Sequence, residues 1–201
     1  ISHLYFDHGY IHVKVGKPVI QMSPDLKYLD IFITIFEGEQ YFVGNFDFSG
    51  DLLEKKNVYS EKLTLKTKYV FNRSMLSQDM LSLKRIYEDQ GYAYANVSPL
   101  TNIDEKSRII HVNYQFEKGE KVYFERINIK GNSKTRDKVI RRELKIIEGE
   151  LFNETKKELS KNRVLALGYF ENVEFKTRQG SRPDTMIVDI EVTERPTGTF
   201  Q

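Results

Sequence analysis

The 201-residue sequence predicts an α+β fold made of tandem β-α-α-β-β repeats, each with two helices packed on a three-stranded mixed sheet. Three observations predict it. Residues 37–50 (EGEQYFVGNFDFSG) recur without gaps as residues 118–131 (KGEKVYFERINIKG), an offset of 81. The dipeptide Gly-Tyr stands at Gly9-Tyr10, Gly91-Tyr92 and Gly168-Tyr169. An alternating apolar series follows each of them: Leu29, Ile31, Ile33, Ile35; then Ile110, Val112, Tyr114, Phe116; then Met186, Val188, Ile190, Val192. A repeat at this spacing sets the architecture before any single element is assigned, and alternation at period 2 marks strands.

The elements follow in order. Ile1, Leu4 and Tyr5 align with Leu83, Ile86 and Tyr87, so residue 1 is expected inside the second helix of a repeat whose start is missing. Residues 1–38 then read as a partial repeat, 39–119 and 120–196 as complete ones. In the partial repeat a strand over Ile11, Val13 and Val15 precedes a central strand at 28–36. Without its first strand, 28–36 would be an artificial edge, expected to pair with another chain. Phe32 and Phe36 point away from the apolar set on this strand, as scattered exposed aromatics or as part of a surface for apolar segments.

In the second repeat, 42–49 alternates as a strand ended by Gly50. Residues 58–66 read as a weak helix, because Val58 and Thr64 are β-branched. Residues 75–90 read as an amphipathic helix with Leu76, Met80, Leu83 and Tyr87 on one face and Ile86 beside them. Ser74 is its expected N-cap and Gly91 its left-handed stop. Strands at 93–102 and 107–117 follow, joined by a turn at Asp104 and Glu105. The third repeat gives a strand at 124–130 and a helix at 135–146 with Val139, Ile140, Leu144 and Ile147 on one face. A second helix is capped by Asn153 and buries Leu159, Val164 and Leu167. Strands at 170–178 and 185–194 close it, with Gly180 to Pro183 as the turn.

Composition narrows the function. Lys+Arg 31 against Asp+Glu 29 leaves a net charge of +2, too little for a polyanion binder working by bulk charge. No window approaches the length of a membrane-spanning helix, and the N-terminus carries neither a basic nor an apolar signal region. The absence of cysteine excludes disulfides, thiol catalysis and cysteine-bound zinc. His3, His8, His12 and His111 fall in no metal-binding spacing, with His12 and His111 expected on polar strand positions. There is no nucleophile elbow and no phosphate-binding glycine loop. No catalytic residue, metal or cofactor is expected. The basic run Lys134, Arg136, Lys138, Arg141, Arg142 and Lys145 suggests phosphate contact, but Glu143, Glu148 and Glu150 offset it. A K-homology RNA-binding module would need a GXXG loop between its helices. Here that connection reads Ile147-Glu148-Gly149-Glu150-Leu151, so no nucleic-acid partner is expected, and an RNA-binding βααβ module is the least favoured alternative.

The repeat resembles a POTRA (polypeptide-transport-associated) domain. The resemblance rests on Gly131-Asn132 after a strand, on Leu167-Gly168-Tyr169-Phe170, and on the closing Glu194-Arg195-Pro196-Thr197-Gly198. Arg141-Arg142-Glu143-Leu144 followed by Glu148-Gly149 is similar to the last POTRA domain of the central subunit in Gram-negative outer-membrane β-barrel assembly. The resemblance implies that 1–38, 39–119 and 120–196 correspond to third, fourth and fifth POTRA domains, and that 197–201 begin the junction to the protein's own C-terminal membrane barrel. It implies a non-enzymatic scaffold at the periplasmic face of the outer membrane. Unfolded β-barrel clients would add a strand to its sheets by β-augmentation. The family's sheet order puts the first and second strands of each repeat at the edges. The client-binding edges are therefore expected at Ile11, Val13 and Val15, at Tyr94 and Asn96, and at Phe170 and Val173. Accessory lipoproteins would dock through Glu148, with Arg141 and Arg142 beside it. The alternative is a peptide-binding region of a related barrel translocase serving one dedicated secreted substrate.

Overall fold

The computed structural model describes residues 1–196. They form two units, one of Ile1–Leu83 with Val97–Phe116, the other of Lys84–Asn96 with Glu117 onward. The expected junction at 197–201 lies outside the described residues.

The first unit opens with α1 (Ser2–Phe6), β1 (Lys14–Val15), β2 (Val19–Met22), β3 (Leu29–Phe32) and β4 (Ile35–Phe36). β1 pairs antiparallel with β4, and β2 with β3. The expected central strand 28–36 is thus broken at Ile33 and Thr34, where the Thr34 carbonyl accepts from Gly16 N–H at 2.8 Å. Its apolar face is covered only at Ile33 and Ile35, which are part-buried; Leu29 and Ile31 are as open as Phe32 and Phe36, all more than half exposed.

β5 (Phe42–Gly50), α2 (Lys56–Glu61), α3 (Arg73–Glu88), β6 (Asn96–Asp104) and β7 (Ile109–Glu117) follow. Their sheet runs β5-β7-β6, with β5 parallel to β7. An aromatic core fills the space under the helices: Tyr59 lies 4.8 Å from Phe116, and Phe48 stacks on Tyr114 at 5.8 Å, ring centroid to centroid. Asp79 of α3 is fully buried within it. Its carboxylate accepts from the Thr64 and Leu65 amides at 2.5 and 3.1 Å, and from the Tyr114 hydroxyl. Burial, with Asp79 beside it, pushes the Tyr114 phenol far above its ordinary value. The same bonds explain why α2 stops at Glu61 instead of reaching residue 66: the Thr64 and Leu65 amides turn to α3.

The second unit takes the end of α3, then β8 (Tyr123–Lys130), α4 (Asp137–Arg141), α5 (Glu154–Ala166), β9 (Phe170–Gln179) and β10 (Thr185–Glu194). The order is β8-β10-β9, with β8 parallel and β9 antiparallel to the central β10. Phe124, Ile140, Val164, Phe170, Val188 and Ile190 form the centre of its core. Gly131 ends β8 at φ +87°. A Cβ there would overlap the Val192 carbonyl, so the strand can end against β10 only without a side chain.

Further assignments change. The basic helix expected at 135–146 is one short turn and a half, because the Glu143 and Leu144 amides tighten onto Ile140 and Arg141 while Lys145 N–H donates to Ser160 Oγ at 2.7 Å. Ile147 is consequently exposed. On α5 the buried place expected for Leu159 belongs to Ser160, and Leu159 is 46% exposed. Ser74 lies inside α3, whose N-terminus is capped by Asn72 accepting from Met75 N–H at 2.8 Å. His12 falls in a turn and meets Glu105 at 3.3 Å, so it occupies no strand position.

Candidate strand-accepting edges and charged face

Each three-stranded sheet has two outer edges, and they differ in how their backbone groups are satisfied. On β5, Val43 donates to Tyr69 O at 2.8 Å and accepts from Lys68 N–H at 2.8 Å, and Phe71 N–H donates to Tyr41 O. On β8, Phe124 N–H donates to Glu150 O at 2.9 Å and its carbonyl accepts from Gly149, while Phe152 N–H reaches Val122 O. The loop before each second helix therefore closes the start of each first strand.

The opposite edges, β6 and β9, have no further strand beside them among the described residues. β6 carries Pro99, which is compatible with an edge because it lacks an N–H. It also exposes Leu100 and Ile103. At the start of β9 the Phe170 carbonyl accepts from Arg195 Nε at 3.1 Å, so the open stretch begins at Glu171. Its solvent face bears a charged row, Glu174 and Lys176 with Glu191 across on β10, a usual way of discouraging unwanted pairing.

The expected edge residues divide. Asn96 begins β6, and Phe170 and Val173 lie in β9 with both side chains buried, so only their backbones border the edge. Tyr94 is outside the strand: residues 91–95 form a turn held by Ala93 N–H to Gly91 O and Ala95 N–H to Tyr92 O, which delays β6 until residue 96. Ile11 also lies in a turn and Val13 just before β1; Val15 alone of the three is in a strand, paired with Ile35.

The charged residues Arg141, Arg142 and Glu148 lie together beside β8, but they are already engaged. Glu148 Oε1 accepts from Ile127 N–H at 2.8 Å. Arg141 Nη2 donates to Ile127 O at 3.0 Å, Nε donates to Asp137, and Nη1 stands 3.9 Å from Glu148. Arg142 is well exposed and pairs with Glu143 at 3.3 Å.

Sequence reasoning missed a joint that each unit contains. In the first, Asp7 accepts from Ser74 N–H and hydroxyl at 2.8 and 2.7 Å, Asn72 Nδ2 donates to Asp7 O, and Tyr41 N–H donates to Gly9 O. In the second, Asp89 accepts from Thr155 N–H and hydroxyl at 2.8 and 2.6 Å, Asn153 Nδ2 donates to Asp89 O, and Val122 N–H donates to Gly91 O. The Ser74 hydroxyl and amide hold the Asp7 carboxyl below its ordinary value. The signal was present: Asp stands two residues before Gly-Tyr, and Asn-x-Ser/Thr recurs at Asn72 and Asn153. The third Gly-Tyr has Ala166 in the aspartate's place.

The fold agrees with known proteins. The model of the POTRA family, described as a surface antigen variable number repeat, matches residues 41–119 and 122–195. An outer membrane protein assembly factor BamA from Neisseria meningitidis serogroup B is 33% identical over 206 residues, covering all of this chain and 25% of that protein. The chain thus spans about a quarter of that relative's length. The crystal structure of Haemophilus influenzae BamA POTRA3-5 superposes with a TM-score of 0.84 at 23% identity, over 96% of this chain and 77% of that one. BamA from Haemophilus ducreyi lacking POTRA domains 1-3 gives 0.67 at 26% identity, over 79% of this chain and 30% of that one. With two matched repeats and a relative that aligns with the whole of this chain, the chain belongs to the POTRA family and is similar to the POTRA domains of the outer membrane protein assembly factor BamA.

Proposed function

We propose that this chain is the periplasmic POTRA region of an outer membrane protein assembly factor: a non-enzymatic scaffold at the periplasmic face of the outer membrane, anchored in the intact protein by a C-terminal barrel. Unfolded β-barrel clients add an extended segment to the outer edges of β6 and β9. Main-chain hydrogen bonds supply affinity without requiring a particular sequence, which suits many clients. The observation that carries this reading is the asymmetry of the sheets: the first-strand edges are covered at their start by the chain's own loops, while among the described residues no further strand lies beside β6 or β9. Accessory lipoproteins dock on the charged face, where Arg142 is exposed and Glu148 half-exposed. The domains run 1–38, 39–119 and 120–196, corresponding to the third, fourth and fifth of the family.

The test places a photo-crosslinking residue at Leu100 on β6, at Asn172 on β9 and, as a control, at Lys68 in the loop that closes the start of β5, in cells making outer-membrane proteins. Client crosslinks from the first two sites and not from the third are expected. Crosslinks of equal strength from all three, or from Lys68 alone, would refute strand addition at these edges.

A further inference from the structure

Ile127 is in the middle of β8, on the side turned away from β10. Both of its outward backbone groups are occupied by side chains: Glu148 takes the N–H and Arg141 the carbonyl, at 2.8 and 3.0 Å. These are the two bonds that an incoming strand would make. The covering is not a requirement of the fold. In the second repeat the positions 81 earlier are Ser60 and Thr67. Among the described residues no side chain reaches the backbone of Phe46, the counterpart of Ile127, and the side chain on that edge is Asp47, which takes the Phe48 amide at 2.8 Å. Ile129, next on the same edge, has β10 as its one neighbouring strand among the described residues. Glu148 and Arg141 are both roughly half exposed, so a displaced side chain would find water at once.

We infer that Arg141 and Glu148 form a latch that keeps the β8 edge closed to an extended segment of alternating apolar and polar residues, and that releasing Glu148 turns β8 into a third acceptor edge. The inference rests on the strand-addition reading above. It changes the role of Glu148: its carboxylate acts on a partner by opening or closing a strand, in addition to any direct ion pair.

The test uses the 201-residue chain and three variants, Glu148→Gln, Glu148→Ala and Arg141→Ala. Gln keeps an acceptor for Ile127 N–H and removes the charge, so the latch survives it while a direct ion pair with a lipoprotein does not. Amide exchange at Ile127 should rise about tenfold or more in Glu148→Ala, the loss of one charge-assisted hydrogen bond, and stay near the parent value in Glu148→Gln. Exchange at Val188 reports whether each variant is folded. The binding probe is a short spin-labelled peptide of alternating Val and Thr. It should broaden Ile127 and Ile129 in Glu148→Ala and Arg141→Ala, and broaden β9 equally in every protein. Unchanged exchange at Ile127 in folded Glu148→Ala overturns the latch. Faster exchange with broadening at β9 only overturns the acceptor role of β8. A peptide that broadens neither strand overturns strand addition itself, and with it the acceptor role.

Discussion

Replacing Asp89 by Ala should destabilise the second unit by about 1–2 kcal/mol, and the structure shows where the loss arises. Asp89 is not the N-cap of α5; Asn153 is, accepting from Lys156 N–H at 2.7 Å. Asp89 instead satisfies the amide of Thr155, a donor at the helix start that the cap leaves without a partner. A capping bond of this kind contributes about 1 kcal/mol, and a carboxylate at a helix N-terminus a further 0.3–1. The second bond, from the Thr155 hydroxyl, is exposed and adds about 0.5 at most. Asp89→Asn keeps one acceptor and loses the charge, so about half the cost is expected. The assay is urea unfolding followed by tyrosine fluorescence, run as a double-mutant cycle with Thr155→Val, which deletes the hydroxyl and keeps the amide. A coupling of about 0.5 kcal/mol should remain between Asp89 and the hydroxyl, and the same cycle on Asp7 and Ser74→Ala should behave alike in the first unit. A single-mutant cost for Asp89→Ala below about 0.3 kcal/mol would refute the reasoning, since that is within the error of two independent sites.

Asp79→Ala should be the more damaging change, about 3 kcal/mol or more, because it strands the buried Leu65 amide and Tyr114 hydroxyl together with the part-buried Thr64 amide; Ser160→Ala strands the Lys145 amide and should cost about 1–2 by the same measurement. Glu194 gives a pH signature. Desolvation opposes its ionisation, but bonds from the Thr135 amide, the Ser133 and Thr135 hydroxyls and the Lys134 amide outweigh that and hold its carboxyl at about 2. Its lowered value means that its stabilising contribution is complete above the ordinary glutamate range near 4.5 and is lost as pH falls toward 2. Glu194→Gln should flatten the acid limb of the stability profile in that window, and a side-chain carbon titration near 4.5 would contradict the assignment.

The repeats were legible because strand alternation and helical spacing survive changes of residue: Phe46 can become Ile127, and Phe48 Ile129, without moving the pattern. Element lengths were less legible where a polar side chain from a distant element takes a backbone amide. Nothing local in residues 143–146 says that Lys145 N–H will turn to Ser160, so an apolar stripe with good helix formers was read through the end of α4. Tyr94 was misplaced for a similar reason. Its strand-like neighbours follow a left-handed Gly91 whose turn consumes four more residues before pairing can begin. The edges themselves were legible only through the family's sheet order, because a strand's place in a sheet is a non-local property. Which edges are closed was not legible at all, since closure of β8 depends on side chains 14 and 21 positions away.

Comparison of the two repeats separates what the fold needs from what a single repeat adds. Asp79 and Ser160 differ in charge and length, yet both serve the same backbone amide, at Thr64 and Lys145. Asp7 with Ser74 and Asp89 with Thr155 serve the same helix start. In each pair the geometry leaves a donor without a partner, and the sequence must supply an acceptor, though not a particular one. The Ile127 edge is different. An outward strand edge can be satisfied by water, so the fold demands no side chain at this position, and the second repeat leaves the matching Phe46 without one while Asp47 takes the Phe48 amide. A charge pair placed where the backbone does not need it has to be explained by what it keeps out or lets in. That is why the difference between Ser60 and Thr67 on one side and Arg141 and Glu148 on the other bears on function, whereas the larger chemical difference between Asp79 and Ser160 bears only on stability.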